Sequence, residues 1–333
     1  MIFISVYVLG ACTDTLIVPQ IEVKKEIFVL FAPNALGDNG YNDQIYRGVV
    51  RYMNEDKFAD AIIDYYNPTS LEEGEQIIKR WKSKDPDGKK QLLVLPGSEY
   101  KNVLDEQLQE KPLDTLFQQI LLFENHPVDL PGVATFHISM YGASYIAGAI
   151  AGKMRFLPLI VLANSSDSNL IAASDGFKDG YADCSDEDNK QTDLVYLSDA
   201  SSGYAMADSV YIKMHEWVQT YDFIFPVMGG SNMGVFRYIR QYPKGVYTVG
   251  MDVDQSYLCN QIIGSVIKDI DVVIKEYLDR WSSDEIVPKH AIYGLQSGYI
   301  RFQVSENYGE AFAGMAEEAH KLALIKEDEY EKK

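Results

Sequence analysis

Short unbroken apolar runs alternate with segments whose apolar residues recur at helical spacing along nearly the whole chain. Ile27–Ala32 is a continuous apolar run of strand length. From Tyr41 to Met53, the residues Ile45, Val49, Val50 and Met53 fall on one helical face. Ala61–Tyr65 reads as a second strand, and Ser70 with Glu73 forms a capping box that opens a helix toward Trp81. Leu92–Leu95, stopped by Pro96-Gly97, is a third strand, with Ile120–Phe123 and Val133–Phe136 following.

The alternation then repeats. Ala143–Met154 is a helix rich in small residues, where Gly148 and Gly152 permit close packing. Strands are expected at Leu157–Ala163, Leu194–Leu197, Phe223–Met228 and Val246–Val253, separated by helices at Leu170–Ala182, Tyr204–Thr220 and Met233–Tyr242. A strand at Ile262–Ile267, a helix at Asp269–Trp281, a strand at Ala291–Phe302 and a helix at Gly309–Leu324 complete the series. Continuous apolar strands alternating with helices mean parallel sheets covered on both faces. The units are too many for one sheet, so the expected class is α/β: two doubly wound parallel-sheet lobes, with ligand groups at the carboxyl ends of strands.

The chain has 333 residues and a net charge of −19. A surface of that sign repels nucleic-acid phosphates, and no Lys/Arg-rich stripe offsets it, so nucleic acid is excluded as a partner. Residues 1–11 are uncharged and mostly apolar, and small residues precede Cys12 in Val8-Leu9-Gly10-Ala11-Cys12. This is the outline of a bacterial secretion signal ending in a lipobox, with Cys12 as the lipidated residue and Thr13–Gln20 as a polar tether. No Lys or Arg precedes the apolar stretch, and a buried strand containing Cys12 is the alternative. Of the three cysteines, Cys184 and Cys259 remain, at a spacing that fits no zinc pattern. Two buried thiols, or one disulfide, are both compatible with that spacing.

Enzyme signatures fail one by one. Gly148–Lys153 is one residue short of a phosphate loop, and Met154 stands where a hydroxyl must bind magnesium. Asp252-Val253-Asp254-Gln255 begins like a calcium loop but lacks the turn glycine and the distal glutamate. His215-Glu216 lacks a second zinc-ligating His, and there is no G-x-S-x-G elbow. No nucleotide-cofactor fingerprint follows the first strand. No enzyme, metal or cofactor is therefore expected.

The loop Pro33–Asp43 crowds carboxylates, amides and an aromatic at one strand's end. Asp38, Tyr41, Asn42 and Asp43 suit a small, neutral, polar ligand with a flat ring, the tyrosine stacking and the others hydrogen bonding. Helix capping by Asp38 or Asn39, with Tyr41 covering the helix start, is the structural alternative. Met228-Gly229-Gly230 follows a strand and precedes a helix, where paired glycines let a ligand approach backbone N–H groups. Asp252 and Asp254 end another strand and, at a period of two, point to one side, where vicinal sugar hydroxyls are natural partners. Lys268 ends the Ile262–Ile267 strand, either as a ligand contact or as a snorkelling surface lysine. The Gly97-Ser98 turn and the Asn164-Ser165-Ser166 loop stand at equivalent strand ends.

Six segments in order carry a resemblance to a known family: Asp38-x-Gly40-Tyr41-Asn42-Asp43, Tyr141–Gly148, Gly176-Phe177-x-x-Gly180, Gly229-Gly230-x-x-x-Gly234-Val235, Gly250-Met251-Asp252-x-Asp254-Gln255 and Ser265–Lys268. The chain resembles the basic membrane lipoproteins, purine-nucleoside-receptor-like substrate-binding proteins of ABC transporters. The resemblance covers about Lys25 to Phe302. It implies the type I periplasmic-binding-protein fold, two lobes joined by three crossings, with a nucleoside in the cleft. It implies that Tyr41 replaces a ring-stacking Phe, that Asn42 and Asp43 address the base, that Asp252 and Lys268 address ribose, and that Gly229-Gly230 lines the cleft. The family's second stacking aromatic has no counterpart in Ser198-Asp199-Ala200-Ser201, and the next aromatic is Tyr204.

The expected division is a signal and tether over 1–24, an N-terminal lobe of 25–135 plus 252–290, a C-terminal lobe of 136–251 plus 291–325, and a solvated charged tail over 326–333. The implied function is a lipid-anchored extracytoplasmic protein, in the periplasm or on the cell surface, that captures a nucleoside, purine favoured, for an ABC permease. A surface sensor of the same fold without a permease is one alternative. A hydrolase holding a metal among Asp38, Asp43, Asp252 and Asp254 is another.

Overall fold

The computed structural model describes residues 24–55, 61–125, 127–185, 192–243 and 245–332. The secretion signal, Cys12 and the tether lie outside the described residues. The first lobe begins with β1 (Lys25–Leu30), α1 (Tyr41–Met53), β2 (Ala61–Tyr66) and α2 (Leu71–Ser83). It continues with β3 (Lys90–Leu95), α3 (Lys101–Glu110), β4 (Gln118–Phe123) and β5 (Val133–Ile138). The chain then crosses to α4 (Tyr141–Lys153), β6 (Pro158–Asn164), α5 (Ser168–Cys184), β7 (Asp193–Ser198), α6 (Ala207–Trp217), β8 (Phe223–Val227) and α7 (Asn232–Gln241). After β9 (Tyr247–Asp252) and β10 (Ile262–Lys268) come α8 (Ile270–Ser282), β11 (His290–Tyr293), β12 (Ile300–Val304) and α9 (Gly309–Tyr330).

The strands form two six-stranded sheets, ordered β11-β5-β4-β3-β1-β2 and β12-β10-β9-β8-β6-β7. Every pairing is parallel except β10 with β12. The central strands are apolar on both faces because helices cover both: Leu92–Leu95 and Phe223–Val227 are buried throughout. Edge strands β2 and β7 are half-exposed, in keeping with their Asp and Tyr content. The capping box at α2 is formed, Ser70 Oγ accepting from Glu73 N at 3.2 Å, while the Glu73 carboxylate reaches back to Thr69 N at 2.8 Å.

In the second lobe α4 is buried from Tyr141 to Gly152. Its glycines allow backbone contact with α5: a Cβ on Gly148 would sit 2.0 Å from the Phe177 carbonyl oxygen, and one on Gly180 2.0 Å from that of Tyr145.

Three expectations need correction. Residues 252–268 do not belong to the first lobe: β10 pairs with β9 and β12 in the second sheet, and the chain returns to the first lobe only with α8, which packs on α1. Ala291–Phe302 is not one strand. Gly294 opens a 3-10 turn at Leu295–Ser297, closed by the left-handed Gly298, so β11 extends the first sheet and β12 the second. The segment expected as a solvated tail from 326 is helical as far as Tyr330, whose ring stacks on Tyr141 at 4.4 Å. Glu327, 5% exposed, accepts from Gly142 N at 3.0 Å and Leu295 N at 2.7 Å. One carboxylate thus ties the C-terminal helix to two of the three inter-lobe crossings, β5 to α4 and β11 to β12, the third being β10 to α8. Burial pushes the Glu327 carboxyl up, and the two backbone donors partly offset this. No disulfide joins Cys184 and Cys259; burial of Cys259 pushes its thiol up to about 11.

Candidate functional site

A cavity of about 640 Å³ opens where the carboxyl ends of strands from both sheets face one another. Each side comes from loops that the strand–helix alternation projects to that end. From the first lobe, the loop after β1 supplies Asp38, Tyr41 and Asn42, and the turn after β3 supplies Gly97 and Ser98. From the second, the turn after β8 supplies Met228, Gly229 and Gly230, while Asp252 and Lys268 end β9 and β10.

Asp38 organises its loop. Its Oδ1 accepts from Gly40 N at 2.9 Å, and its Oδ2 from Asn42 N and Asn42 Nδ2, both at 2.9 Å. It therefore caps the first turn of α1 and also lines the cavity. Tyr41 donates its hydroxyl to the Pro96 carbonyl at 2.7 Å. The hydroxyl absent from Phe thus has a partner away from the ring face, and that ring lies 5.3 Å from Lys268 Nζ. Burial pushes the phenol far up, reinforced by Glu124, Glu99 and Asp252.

Two expected residues do not line the cavity. Asp43 turns into its own loop, its carboxylate accepting from Gly37 N at 2.7 Å and Asn39 N at 2.9 Å. Asp254 is exposed and accepts from Ser256 N at 3.0 Å. The period-two expectation fails because Asp252 is left-handed, φ +67°, which ends the strand before Asp254.

Lys268 is not a snorkelling surface residue. Its side chain is 5% exposed, and Nζ bonds Glu124 Oε1 at 2.9 Å. Burial alone would lower its pKa, but Glu124 and Asp252 overcome this and hold it above its ordinary value. Asp252 is pushed up to about 6 by burial; Lys268 opposes the rise, while Asp38 and Glu124 add to it.

Sequence reasoning missed Glu124, Asp167, Asn169 and Glu99 and named Tyr204 without assigning it a role; all five line the cavity. Glu124, just past β4 at φ +52°, belongs to the first lobe. It meets Lys268 and, through its carbonyl at 3.1 Å and Oε2 at 3.2 Å, the Asn169 amide, both from the second lobe. Gln44 of α1 adds a further cross-lobe bond, donating to the Asp252 carbonyl at 2.6 Å. Asp167 caps α5, accepting from Asn169 N at 2.9 Å, and also accepts the Tyr204 hydroxyl at 2.7 Å. Tyr204 packs on the turn after β8, where a Cβ on Gly229 would approach its ring to 3.0 Å. It is therefore an aromatic facing the cavity from the second lobe, although the turn after β7 carries none. The Asn164-Ser165-Ser166 loop does not line the cavity.

The lining holds the carboxylates of Asp38, Glu99, Glu124, Asp167 and Asp252 against one cation, Lys268, among the described residues. Among those residues no group of three His, Cys, Asp or Glu side chains is arranged to hold a metal. Half of the four aspartates that a metal-dependent hydrolase would use face away from the cavity. What the arrangement can do is surround a small polar solute.

A family model described as ABC transporter substrate-binding protein PnrA-like, Bmp, matches residues 25–331. Basic membrane protein C of Borreliella burgdorferi (strain N40) is 26% identical over 299 residues, covering 84% of this chain and 81% of that protein. Basic membrane protein A1 of Borrelia garinii subsp. bavariensis is 23% identical over 279 residues, covering 82% of this chain and 78% of that protein. Among solved structures, an ABC transporter solute-binding protein from Aeropyrum pernix K1 superposes with a TM-score of 0.67 at 16% identity, covering 91% of this chain and 86% of that one. A sugar transporter structure from Clostridium phytofermentans gives a TM-score of 0.61 at 16% identity, covering 84% of this chain and 99% of that one. The two-lobed architecture is the type I periplasmic-binding-protein fold. The role that goes with the family is capture of a solute for an ABC transporter. The chain belongs to the Bmp family of PnrA-like ABC transporter substrate-binding proteins.

Proposed function

We propose that this protein is a lipid-anchored, extracytoplasmic receptor that captures a nucleoside, purine favoured, and delivers it to an ABC permease. The observation that carries this reading is the cavity between the lobes. Its volume, about 640 Å³, is in the range of small-molecule sites, roughly 300–1,000 Å³. It offers two tyrosines, Tyr41 and Tyr204, from opposite lobes for a flat base. It also offers the Asp252 carboxylate beside Lys268 for vicinal hydroxyls. The Gly229-Gly230 turn, with Gly229 at φ +53°, brings backbone close to the same space. Five lining carboxylates against one lysine repel a phosphorylated ligand, which favours a nucleoside over a nucleotide. In this scheme Asp43 shapes the loop and does not touch the ligand.

Calorimetric titration of the soluble chain from Thr13 against inosine, guanosine, adenosine, uridine and ribose tests the reading. Micromolar or tighter binding to at least one purine nucleoside is expected. Tyr41→Ala should weaken it at least about tenfold through loss of the stack, while Tyr41→Phe should change it little, because the hydroxyl serves Pro96. Absence of heat with every nucleoside would overturn the nucleoside assignment. The anchor is tested separately by labelled fatty-acid incorporation into the full chain, which Cys12→Ala should abolish.

A further inference from the structure

Asp252 leaves its strand in a conformation that needs holding. Its φ of +67° lies in the left-handed region, which is uncommon for a residue with a side chain. The Val253 N–H donates back to the Met251 carbonyl at 2.8 Å, so Asp252 stands at the centre of a three-residue turn. Such a turn with positive φ at its centre is rare and strained, and strain of this kind persists only where the surroundings enforce it. A backbone relaxed toward the extended form of β9 would carry the carboxylate in a different direction.

The second lobe fixes the residues on either side. Met251 N donates to Gln255 Oε1 at 2.8 Å, and Gln255 N donates to Ser265 Oγ at 3.2 Å. The side chain that bonds Asp252 itself, among the described residues, comes from the first lobe. Gln44, in the first turn of α1 and 4% exposed, donates Nε2 to the Asp252 carbonyl at 2.6 Å. One helical turn earlier, a Cβ on Gly40 would lie 3.6 Å from Asp252 Oδ2. The start of α1 therefore meets both ends of the residue, the Gln44 amide on its carbonyl and the Gly40 backbone beside its carboxylate. Gln44 does not line the cavity, whereas Asp252 does, and the Asp252 carboxylate accepts no hydrogen bond among the described residues. A bond from α1 to β9 joins the two lobes and is lost when they separate.

We propose that Gln44 is a positioning residue of the ligand site: as the lobes close, its amide clamps the Asp252 carbonyl and holds the left-handed turn that aims the carboxylate at the ligand. This rests on the reading of the cavity as a nucleoside site with Asp252 as an acceptor. Gln44 then acts through Asp252 and not on the ligand, and closure itself prepares the acceptor before ligand hydroxyls reach it. One hydrogen bond of this kind shifts a conformational equilibrium roughly two- to tenfold.

The test is calorimetric titration of wild type, Gln44→Met, Asp252→Asn and the double variant with inosine, guanosine and adenosine. Methionine keeps the length of the side chain and removes the donor. At pH 7.5 Gln44→Met should weaken the tightest-bound nucleoside about five- to tenfold. In the Asp252→Asn background the same change should cost less than about twofold, because no charged carboxylate remains to be aimed. The fall in wild-type affinity on acidification to pH 5, as Asp252 takes up its proton, should also flatten in Gln44→Met, although Lys268, Asp38 and Glu124 still surround the group. Gln44→Asn, whose amide is too short to reach the carbonyl, should repeat the result, and matching thermal midpoints establish that both variants are folded. Wild-type affinity in Gln44→Met overturns the proposal. So does an equal loss in both backgrounds, which assigns Gln44 to lobe packing alone. Either result leaves the nucleoside reading standing. If wild type gives no heat with any of the three nucleosides, that reading falls and this inference with it.

Discussion

Asp252→Asn is the most informative single change at the site, because it should separate stability from ligand capture. Burial raises the Asp252 carboxyl from its ordinary 3.8 to about 6. Ionised Asp252 is therefore unfavourable in the free fold, by at most about 3 kcal/mol at neutral pH. The sign follows from the direction of the shift. Below about pH 4 the group is protonated in both folded and unfolded chains and costs nothing. As pH rises from about 4 to about 6 the unfolded chain loses its proton first, and stability falls; above about 6 the penalty is constant. Asparagine removes the penalty and tolerates the left-handed backbone, φ +67°, at this position. In urea unfolding, Asp252→Asn should exceed wild type in stability at pH 7.5 and match it at pH 4. Ligand affinity should run the other way. A charged carboxylate accepts sugar hydroxyls more strongly than an amide, so wild-type affinity should drop about tenfold between pH 7.5 and pH 5, as protonation competes with binding. Asp252→Asn should bind weakly, without that contribution to the pH profile. Glu99, also raised by burial, is present in both proteins, so the difference between the two profiles isolates Asp252. Equal stabilities at pH 7.5, or a pH profile of binding that survives the substitution unchanged, would refute the reasoning.

Lys268→Met should be strongly destabilising, about 3–5 kcal/mol, because it leaves the Glu124 carboxylate, 10% exposed, without its cation. Adding Glu124→Gln should recover much of the loss in urea titrations; purely additive losses would mean that the pair is not coupled. Gly148→Ala should cost about 1–3 kcal/mol, since its Cβ meets the Phe177 carbonyl oxygen at 2.0 Å and backbone must move. Gly314→Ala, on α9 with open space around the new methyl, should instead stabilise by about 0.4–1 kcal/mol; a similar thermal shift for both variants would sink the close-packing account of α4 and α5.

The two-lobe architecture was legible because buried parallel strands and amphipathic helices differ in period, and most runs were long enough to show it. The helix α3 was missed because its buried residues, Leu104, Gln107 and Leu108, are too few and partly polar to print a clear stripe. The assignment of 252–268 to the first lobe failed for a different reason. Strand sequences announce burial but not which sheet they join, and β10 stays beside β9 because the connection between them is short. At the site, residues in Gly- and Asp-rich turns were found, as at Asp38, Gly97, Gly229 and Asp252. Glu124 carried no such mark: it is a single acid after an apolar strand, and its partner, Lys268, lies far along the chain. Tyr204 was seen but set aside, because its distance from β7 hid the short 3-10 turn, Ser201–Ala205, that carries it to the cavity.

The carboxylate of Glu327 has a consequence for how the molecule is made. It follows every strand of both sheets along the chain, yet it fastens segments that join the halves. During synthesis each sheet can gather its strands before that residue has left the ribosome, but the mutual pose of the halves stays unsettled until Glu327 itself is free to dock. A chain cut just before Glu327 would therefore spare both cores and still yield a receptor whose jaws no longer meet in register.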